Sequence, residues 1–245
     1  MGVVKVSERR QRFQDLLAAE GEIDRGQRVA QICRLCVSDL AVSGAGATVL
    51  SESHNGTLSS PRRGLVHASD PVSAGLEDLQ LTVGEGPCLD AFAAGGPILV
   101  SDLAADLGRW PAFGPAAAEL GAAAVFSFPL QVGVVRLGSM DLYRDRPGPL
   151  TPLQLTDALI LADLATHAVI DQLDGHATTD LSWLADAHVE VHQAAGMVSV
   201  QLGATTETAL LRLRGYAFTH DVTVTHAARQ VVARRLRFTP DGATA

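Results

Sequence analysis

Three cysteines and one histidine pair are the residues whose types and spacing could carry chemistry in this chain. Cys33 and Cys36 form a C-x-x-C pattern, which occurs in zinc sites and in redox-active pairs. Structural zinc needs about four ligands, and Cys88 is the only other cysteine of the sequence. A redox pair would follow a strand at the start of a helix, whereas this pair falls mid-helix on the apolar side. We therefore predict that both cysteines pack in a core.

The remaining short signals do not assemble into an enzyme site. His188 and His192 are spaced as neighbours on one helical face, but a pair without a third ligand predicts no metal. The glycine-rich segments 44–46 and 84–86 lack the Gly-Lys-Ser/Thr that ends a phosphate-binding loop. The sequence therefore predicts no catalytic residues, no metal and no cofactor, and the chain is not expected to be an enzyme.

The composition predicts a folded protein of the cytoplasm. Of 245 residues, 47% are hydrophobic and 19% are charged, which is enough apolar material for sizeable cores. No run reaches the roughly 18 apolar residues that indicate a membrane span, because Glu119 and Asp163 interrupt the alanine-rich and leucine-rich runs. The N-terminus shows no apolar core of a secretion signal, and three cysteines make no disulfide framework. We expect a reducing, cytoplasmic location and no membrane partner.

Charge is unevenly distributed along the chain. The formal net charge is -8, yet the part from residue 187 onward holds six arginines against four acidic residues. A basic end on an acidic protein indicates an anionic partner, of which nucleic acid is the commonest, although a solvated helix face is the alternative. The arginines are Arg212, Arg214, Arg229, Arg234, Arg235 and Arg237.

The first 150 residues predict an α+β domain, an antiparallel sheet flanked by helices, placed at 24–150 after an N-terminal helix within 1–23. Apolar residues at helical spacing predict helices over 8–20 and 24–40, with Asp24 capping the second. Asn55–Gly56 predicts a tight turn between the first two strands, and the last two strands are expected to join around Gln131–Val132. The predicted strands are 45–53, 64–69, 97–103, 123–130 and 133–143, with further helices at 71–82 and 115–121.

The rest of the chain reads as helical. A long helix at 151–174 carries two apolar stripes, where a surface helix needs one, so one stripe should face the sheet and the other a second copy of the chain, with help from 8–20. A linker at 175–187 precedes a purely helical pattern that predicts a three-helix bundle at 188–238. Ile160 is expected at the seam with the second copy. One stripe is Leu155, Leu159, Ala162, Val169 and Leu173, and the other is Leu153, Ile160, Leu164 and Ala168.

Two segments resemble known families. Residues 81–103 (LTVGEGPCLDAFAAGGPILVSDL), with the later PLQVGVVRLGSMDLY and PGPLTPLQ, resemble GAF domains of bacterial signalling proteins. Residues 190–238 resemble ANTAR domains, the RNA-binding modules of transcription antiterminators, through Gln193-Ala194-x-Gly196, Ala209, Leu213-Arg214 and Val231-Val232. Together the two resemblances cover most of the chain.

The ANTAR resemblance implies binding of nascent RNA that carries paired stem-loops, hence a homodimer. It departs from the family pattern where basic residues are common, at Ala195 and at 220–222. Tyr216 could stack on a base or cap the small core. A DNA-binding regulator and a protein-interaction module without nucleic acid remain the alternatives. The residues expected at RNA are Gln193, Gly196, Arg212, Arg214, Tyr216 and His220.

The GAF resemblance implies a small-molecule pocket between the sheet and the helices that follow it. Segments 84–98 and 106–121 would line this pocket, and the residues expected there are Cys88, Phe92 and Phe126. Cys88 could equally be a buried small hydrophobe without contact to any ligand.

Overall fold

The computed structural model describes residues 2–19, 27–51, 62–106, 108–174, 186–239 and 242–244. These form an α+β unit around a five-stranded sheet, followed by a long helix and a helical bundle, as the sequence predicts. The elements are α1 (Gly2–Ala19), α2 (Arg28–Leu40), β1 (Gly44–Ser51), β2 (Arg62–Ala68), α3 (Pro71–Val83), α4 (Pro87–Ala94), β3 (Ile98–Val100), α5 (Phe113–Glu119), β4 (Ala124–Val132), β5 (Val135–Arg144), α6 (Pro152–Asp174), α7 (Asp186–Leu202), α8 (Thr206–Thr219), α9 (Val224–Val232), β6 (Arg237–Thr239) and β7 (Gly242–Thr244).

The sheet has the order β2-β1-β5-β4-β3, and every pair is antiparallel. The β4–β5 turn lies at Gly133–Val134 and not at the predicted Gln131–Val132, because pairing continues to Val132 and Val135. Gly133 has a φ of 58°, which a residue with a Cβ rarely adopts. The predicted Asn55–Gly56 turn and Asp24 cap lie outside the described residues.

One face of the sheet carries the larger core. Successive residues of a strand point to opposite faces, so alternate residues of β4 and β5 pack together against α2 and α6. The Cys36 and Met140 sulfurs lie 3.8 Å apart across this core. Its largest buried side chains include Phe126, Phe128, Leu130, Met140 and Leu142.

Helix α6 packs inside this unit more completely than its stripes predict. Ile160, expected at a seam with a second copy, is 6% exposed and belongs to the chain's own core, as does Ala168 at 5%. The prediction that Ile160 lies at the seam is therefore wrong. Leu153 and Leu159 remain 56% and 46% exposed.

Helix α1 covers part of α6 through ion pairs, in which Arg9 binds Asp157 and Arg10 binds Asp163. By length and composition Pro152–Gln172 could cross a membrane, but half of it is buried in the described structure. Packing against the sheet and α1 accounts for its apolar character.

The C-terminal bundle contains the three predicted helices. Thr205 and Thr223 begin α8 and α9, since each hydroxyl accepts a hydrogen bond from a backbone N–H of the following turn. The third helix ends at Val232, earlier than the helical pattern to 237 predicts, and β6 and β7 form a hairpin after it. Phe238 of this hairpin is 4% exposed and closes the bundle core.

Candidate functional site

The second face of the sheet is polar at its centre. Thr48, Ser127, Ser139 and Asp141 lie on it, and all four are buried. Asp141 pairs with Gly46 on one side and with Ser127 on the other, so the patch spans three adjacent strands. Burying hydroxyl and carboxyl groups costs free energy unless they find polar partners. This patch is therefore the first candidate for a ligand site.

Helix α3 covers the patch and contributes Glu77 and Gln80. The helix begins at Asp70, whose carboxylate accepts hydrogen bonds from two backbone N–H groups of the first turn. Burial opposes ionisation of Asp70, but hydrogen bonds from neighbouring hydroxyl and backbone groups lower its pKa below the ordinary value. Glu77 is 1% exposed and accepts a hydrogen bond from Thr48 Oγ1 at 2.7 Å. The helix thus sets a second buried carboxylate near Asp141.

The Gly84-Glu85-Gly86 loop positions Cys88. Gly84 ends α3 with a φ of 75°, and the Glu85 carboxylate accepts two backbone N–H groups at the start of α5, at 2.7 and 3.0 Å. Gly86 has a φ of 140°, and a Cβ there would lie 2.6 Å from Gln80 Oε1. That same oxygen accepts the Cys88 backbone N–H at 2.9 Å. The two glycines are needed because the loop turns sharply and passes close to Gln80.

Glu77, Cys88 and Asp141 meet between the helices and the sheet. Their carboxylate oxygens and sulfur all lie within 4.8 Å of one another. Cys88 is fully buried, and Asp141 is 8% exposed. A narrow cavity of about 10 Å³ borders Glu77 and Asp141, which is room for about one water molecule or ion. Among the described residues, this trio has the donor types of a metal site.

The three residues predicted to line the ligand pocket do not lie in one pocket. Cys88 belongs to the polar cluster, and Phe92, one helical turn later in α4, is buried. Phe126 lies on the opposite face of the sheet, in the apolar core, so its assignment to a shared pocket is wrong. Phe126 and Ser127 are consecutive in β4, and only the register decides which of them faces Cys88.

Glu77 and Asp141 were missed by the sequence analysis. The alternation Ser139-Met140-Asp141-Leu142 in β5 indicates a strand with one polar face, and that pattern could have revealed Asp141. Glu77 lies in an ordinary helical segment, where a carboxylate usually faces solvent.

Cys33 and Cys36 lie in the apolar core, as predicted, and both are fully buried. Burial raises the pKa of Cys33 to about 12 and also raises the pKa of Cys36. Both thiols are therefore held in the neutral form, which is neither a good nucleophile nor a good metal ligand.

The bundle is docked on α3. Leu81 of α3 is 1% exposed and forms part of the bundle core. Arg214 of α8 donates a hydrogen bond from Nε to the Leu81 carbonyl at 2.9 Å. The Arg214 guanidinium also lies over Gly84, where a Cβ would come within 3.1 Å of it. A residue predicted to contact RNA thus contacts the α+β domain.

The other residues predicted at RNA lie at different depths in the bundle. Gly196 is half-buried, and an added Cβ would meet no atom of the described residues within 4 Å, so packing does not require a glycine there. Tyr216 stacks on His220 with ring centroids 3.9 Å apart and meets Phe238 edge-on at 5.8 Å. This supports a packing role for Tyr216. The exposed members are Gln193, Arg212 and His220.

Solved structures share this architecture. The GAF domain of a phosphoenolpyruvate-protein phosphotransferase (ptsP) from Coxiella burnetii aligns with a TM-score of 0.52 at 15% identity, over 71% of this chain and 99% of that chain. The GAF domain of the corresponding Acinetobacter protein gives 0.50 at 12%, over 70% and 96%. Escherichia coli SdiA gives 0.52 at 13%, over 93% and 96%. No family model and no curated protein matches the sequence.

At such identities the likeness concerns the fold alone. The five-stranded antiparallel sheet with its flanking helices is a GAF-like fold. The ANTAR resemblance of the C-terminal bundle rests on its sequence motif.

Proposed function

We propose that this protein is a cytoplasmic transcription antitermination regulator, in which the GAF-like domain controls RNA binding by the C-terminal bundle. The observation that carries the proposal is the docking of α8 on α3 through Arg214 and Leu81. One arginine expected to bind RNA is engaged by the sensor domain. A ligand that moves α3 would therefore change how α8 is presented.

The rest of the docking contact supports this coupling. Thr82 Oγ1 accepts the Val224 backbone N–H at 3.0 Å, and the Thr225 hydroxyl donates to Asp78. Both contacts join α3 to the start of α9. Polar contacts of this kind are modest in net energy, about 1 kcal/mol each, so a ligand could tip the balance between docked and released bundles.

Positive charge on the bundle supports an anionic partner. Arg212 is exposed on α8, and Arg234, Arg235 and Arg237 are exposed at the end of α9 and the hairpin that follows. Arginines bind RNA phosphates and stack on unpaired bases. A Cβ at Gly196 would meet no atom of the described residues within 4 Å, so packing does not explain the glycine. Close approach of RNA is the reason that we propose for it.

We also propose a homodimer, because binding of paired stem-loops requires two bundles. Leu153 and Leu159 of α6 are the exposed apolar residues from which we expect a seam, in place of Ile160. Light scattering should give about twice 25.7 kDa. Leu159→Asp should shift the protein toward monomer, because it would place an unpaired carboxylate in an apolar contact.

RNA binding is tested by fluorescence anisotropy with a two-stem-loop RNA across a salt series, in parallel with duplex DNA of matched length. The Arg212→Ala variant, which leaves the Arg214 contact to α3 in place, should bind RNA more weakly, with a salt dependence shallower by about 0.7 if one phosphate contact is lost. Arg109→Ala, which removes an exposed arginine of the sensor domain, is the matched control. Preference for duplex DNA would favour a DNA-binding regulator. No binding to either would favour a protein-interaction module.

The control by the sensor domain is tested with the same RNA. Asp78→Ala/Thr82→Ala removes two α3 contacts to the bundle while leaving the Glu77 side chain in place. If docking restrains the bundle, this variant binds RNA more tightly than the wild type, whereas Asp90→Ala on α4 does not. Equal affinity in all three proteins would remove the coupling from the proposal.

A further inference from the structure

We propose that Glu77, Cys88 and Asp141 bind a divalent transition-metal ion with affinity for thiolate, of the Zn²⁺ or Fe²⁺ type. A role of this ion as the signal that the sensor domain detects rests on the function proposed above. Binding of the metal itself is measured without RNA, so the two proposals can fail separately.

The geometry of the trio is close to that of a metal site. Two ligands at the roughly 2.0–2.3 Å bond lengths of zinc can be no more than about 4.6 Å apart. The three donor atoms already lie within 4.8 Å of one another, and a small inward movement would bring them onto one ion. They come from α3, α4 and β5, so an ion would tie both helices to the sheet.

The buried hydroxyl of Ser127 independently indicates a ligand. Its Oγ is fully buried and has no hydrogen-bond partner among the described residues. Ser127 and Asp141 are direct cross-strand partners, so both side chains leave the sheet on the side of the cluster. A buried hydroxyl without a partner is costly, and an ion or its bound water would satisfy it.

The charge of the site also favours a cation. Glu77 and Asp141 are two carboxylates buried near each other; Glu77 accepts a hydrogen bond from the Thr48 hydroxyl, and Asp141 accepts one from the Ser139 hydroxyl. Like charges in a buried site repel, whereas a dication compensates both. Metal binding would break the Cys88 S–H bond, release the proton to solvent and form a metal–sulfur bond.

The donor set selects among metals. Carboxylates alone would suit Mg²⁺ or Ca²⁺, but those ions prefer oxygen ligands throughout. A thiolate favours softer ions, and one sulfur with two carboxylates fits Zn²⁺ or Fe²⁺. The same helix that supplies Glu77 supplies Asp78 and Leu81 to the bundle, so occupancy of the site would act directly on the docking contact.

The test uses the full chain, reduced and treated with chelator, titrated with Co²⁺ as a spectroscopic probe and then with Zn²⁺ as competitor. We expect one saturable site per chain, with the charge-transfer absorption of a cobalt–thiolate bond. Cys88→Ser should abolish that absorption. Asp141→Asn, nearly equal in shape, should weaken binding more than about tenfold, and Ser127→Ala should weaken it about tenfold or less.

Cys36→Ala is the matched control, because it removes a buried thiol from the other face of the sheet. It should keep both the absorption and the affinity. If Cys88→Ser fails to fold, the metal affinity of Asp141→Asn decides whether the site binds metal. The proposal is overturned if the wild type shows no saturable binding, if Asp141→Asn binds equally well, or if Mg²⁺ competes as effectively as Zn²⁺. Metal binding without RNA binding would leave this site standing and remove the antitermination function.

Discussion

The two faces of the central sheet are built from the same strands but differ in polarity. On one face Phe126, Phe128 and Met140 pack against α2 and α6 in an apolar core. On the other, Ser127 and Asp141 face a glutamate and a cysteine. Adjacent residues of one strand thus belong to two environments. The comparison teaches that this sheet places its larger apolar core on one face and keeps polar, less favourable groups at the centre of the other, beside a smaller apolar cluster.

The helices repeat this contrast. Helix α2 presents Cys33 and Cys36 to the apolar face, where burial keeps the thiols neutral. Helix α4 presents Cys88 to the polar face, beside two carboxylates. The same side chain is thereby a packing group in one place and a candidate ligand in the other, because the neighbours differ.

The largest effect is expected from Phe128→Ala. Phe128 is fully buried on the apolar face, and removing its ring should lower the free energy of unfolding by about 3–5 kcal/mol. Urea denaturation followed by circular dichroism measures the loss. A cost below about 1 kcal/mol would contradict the burial of Phe128 in the larger apolar core.

Gly86→Ala should be the next most damaging. The backbone at φ 140° disfavours any residue with a Cβ, and the added atom would press on Gln80 Oε1. We expect the free energy of unfolding to fall by about 1–3 kcal/mol, measured by urea denaturation. Gly96→Ala is the control, since its Cβ would meet nothing within 4 Å in the described part of the chain. Equal costs for both substitutions would argue against the close approach at Gln80.

The apolar face should make stability fall at alkaline pH. Burial raises the pKa of Cys33 from 9.0 to about 12, so the unfolded chain ionises first as pH rises through that window. The contribution of the neutral Cys33 thiol to the free energy of unfolding is fully present below about pH 9. Above that pH it declines by up to about 1.4 kcal/mol per pH unit. Denaturation curves between pH 8 and 11 should show a shallower decline for Cys33→Ala than for the wild type. Parallel declines would mean that this thiol is not held neutral.

Ser127→Ala should have the smallest effect. It removes a buried hydroxyl that has no partner among the described residues, so metal-free protein should change by less than about 1 kcal/mol and could gain stability. Measured beside Phe128→Ala by the same urea curves, it compares neighbouring residues on opposite faces. A loss of several kcal/mol would show that the hydroxyl makes a stabilising contact.

Local patterns in the sequence were sufficient for most elements of the fold. The helical spacing of the C-terminal segment predicts α8 and α9, since periodicity depends on neighbours within one turn. Helix α4, which carries Cys88, was not among the helices predicted from the sequence. The C-terminal hairpin at β6 and β7 was missed because two three-residue strands give almost no periodic signal.

The site itself depends on contacts between residues far apart in the chain. Glu77 and Asp141 meet only because the register of β5 and the packing of α3 bring them together. Arg214 meets Leu81 across 133 positions, and Ile160 is buried by elements from both ends of the domain. A pattern within one segment states which residues share a face, but what covers that face is set by tertiary packing. The sequence therefore provided the elements and the chemistry of their side chains, while tertiary packing placed Ser127 rather than Phe126 on the polar side and Arg214 against the GAF-like domain.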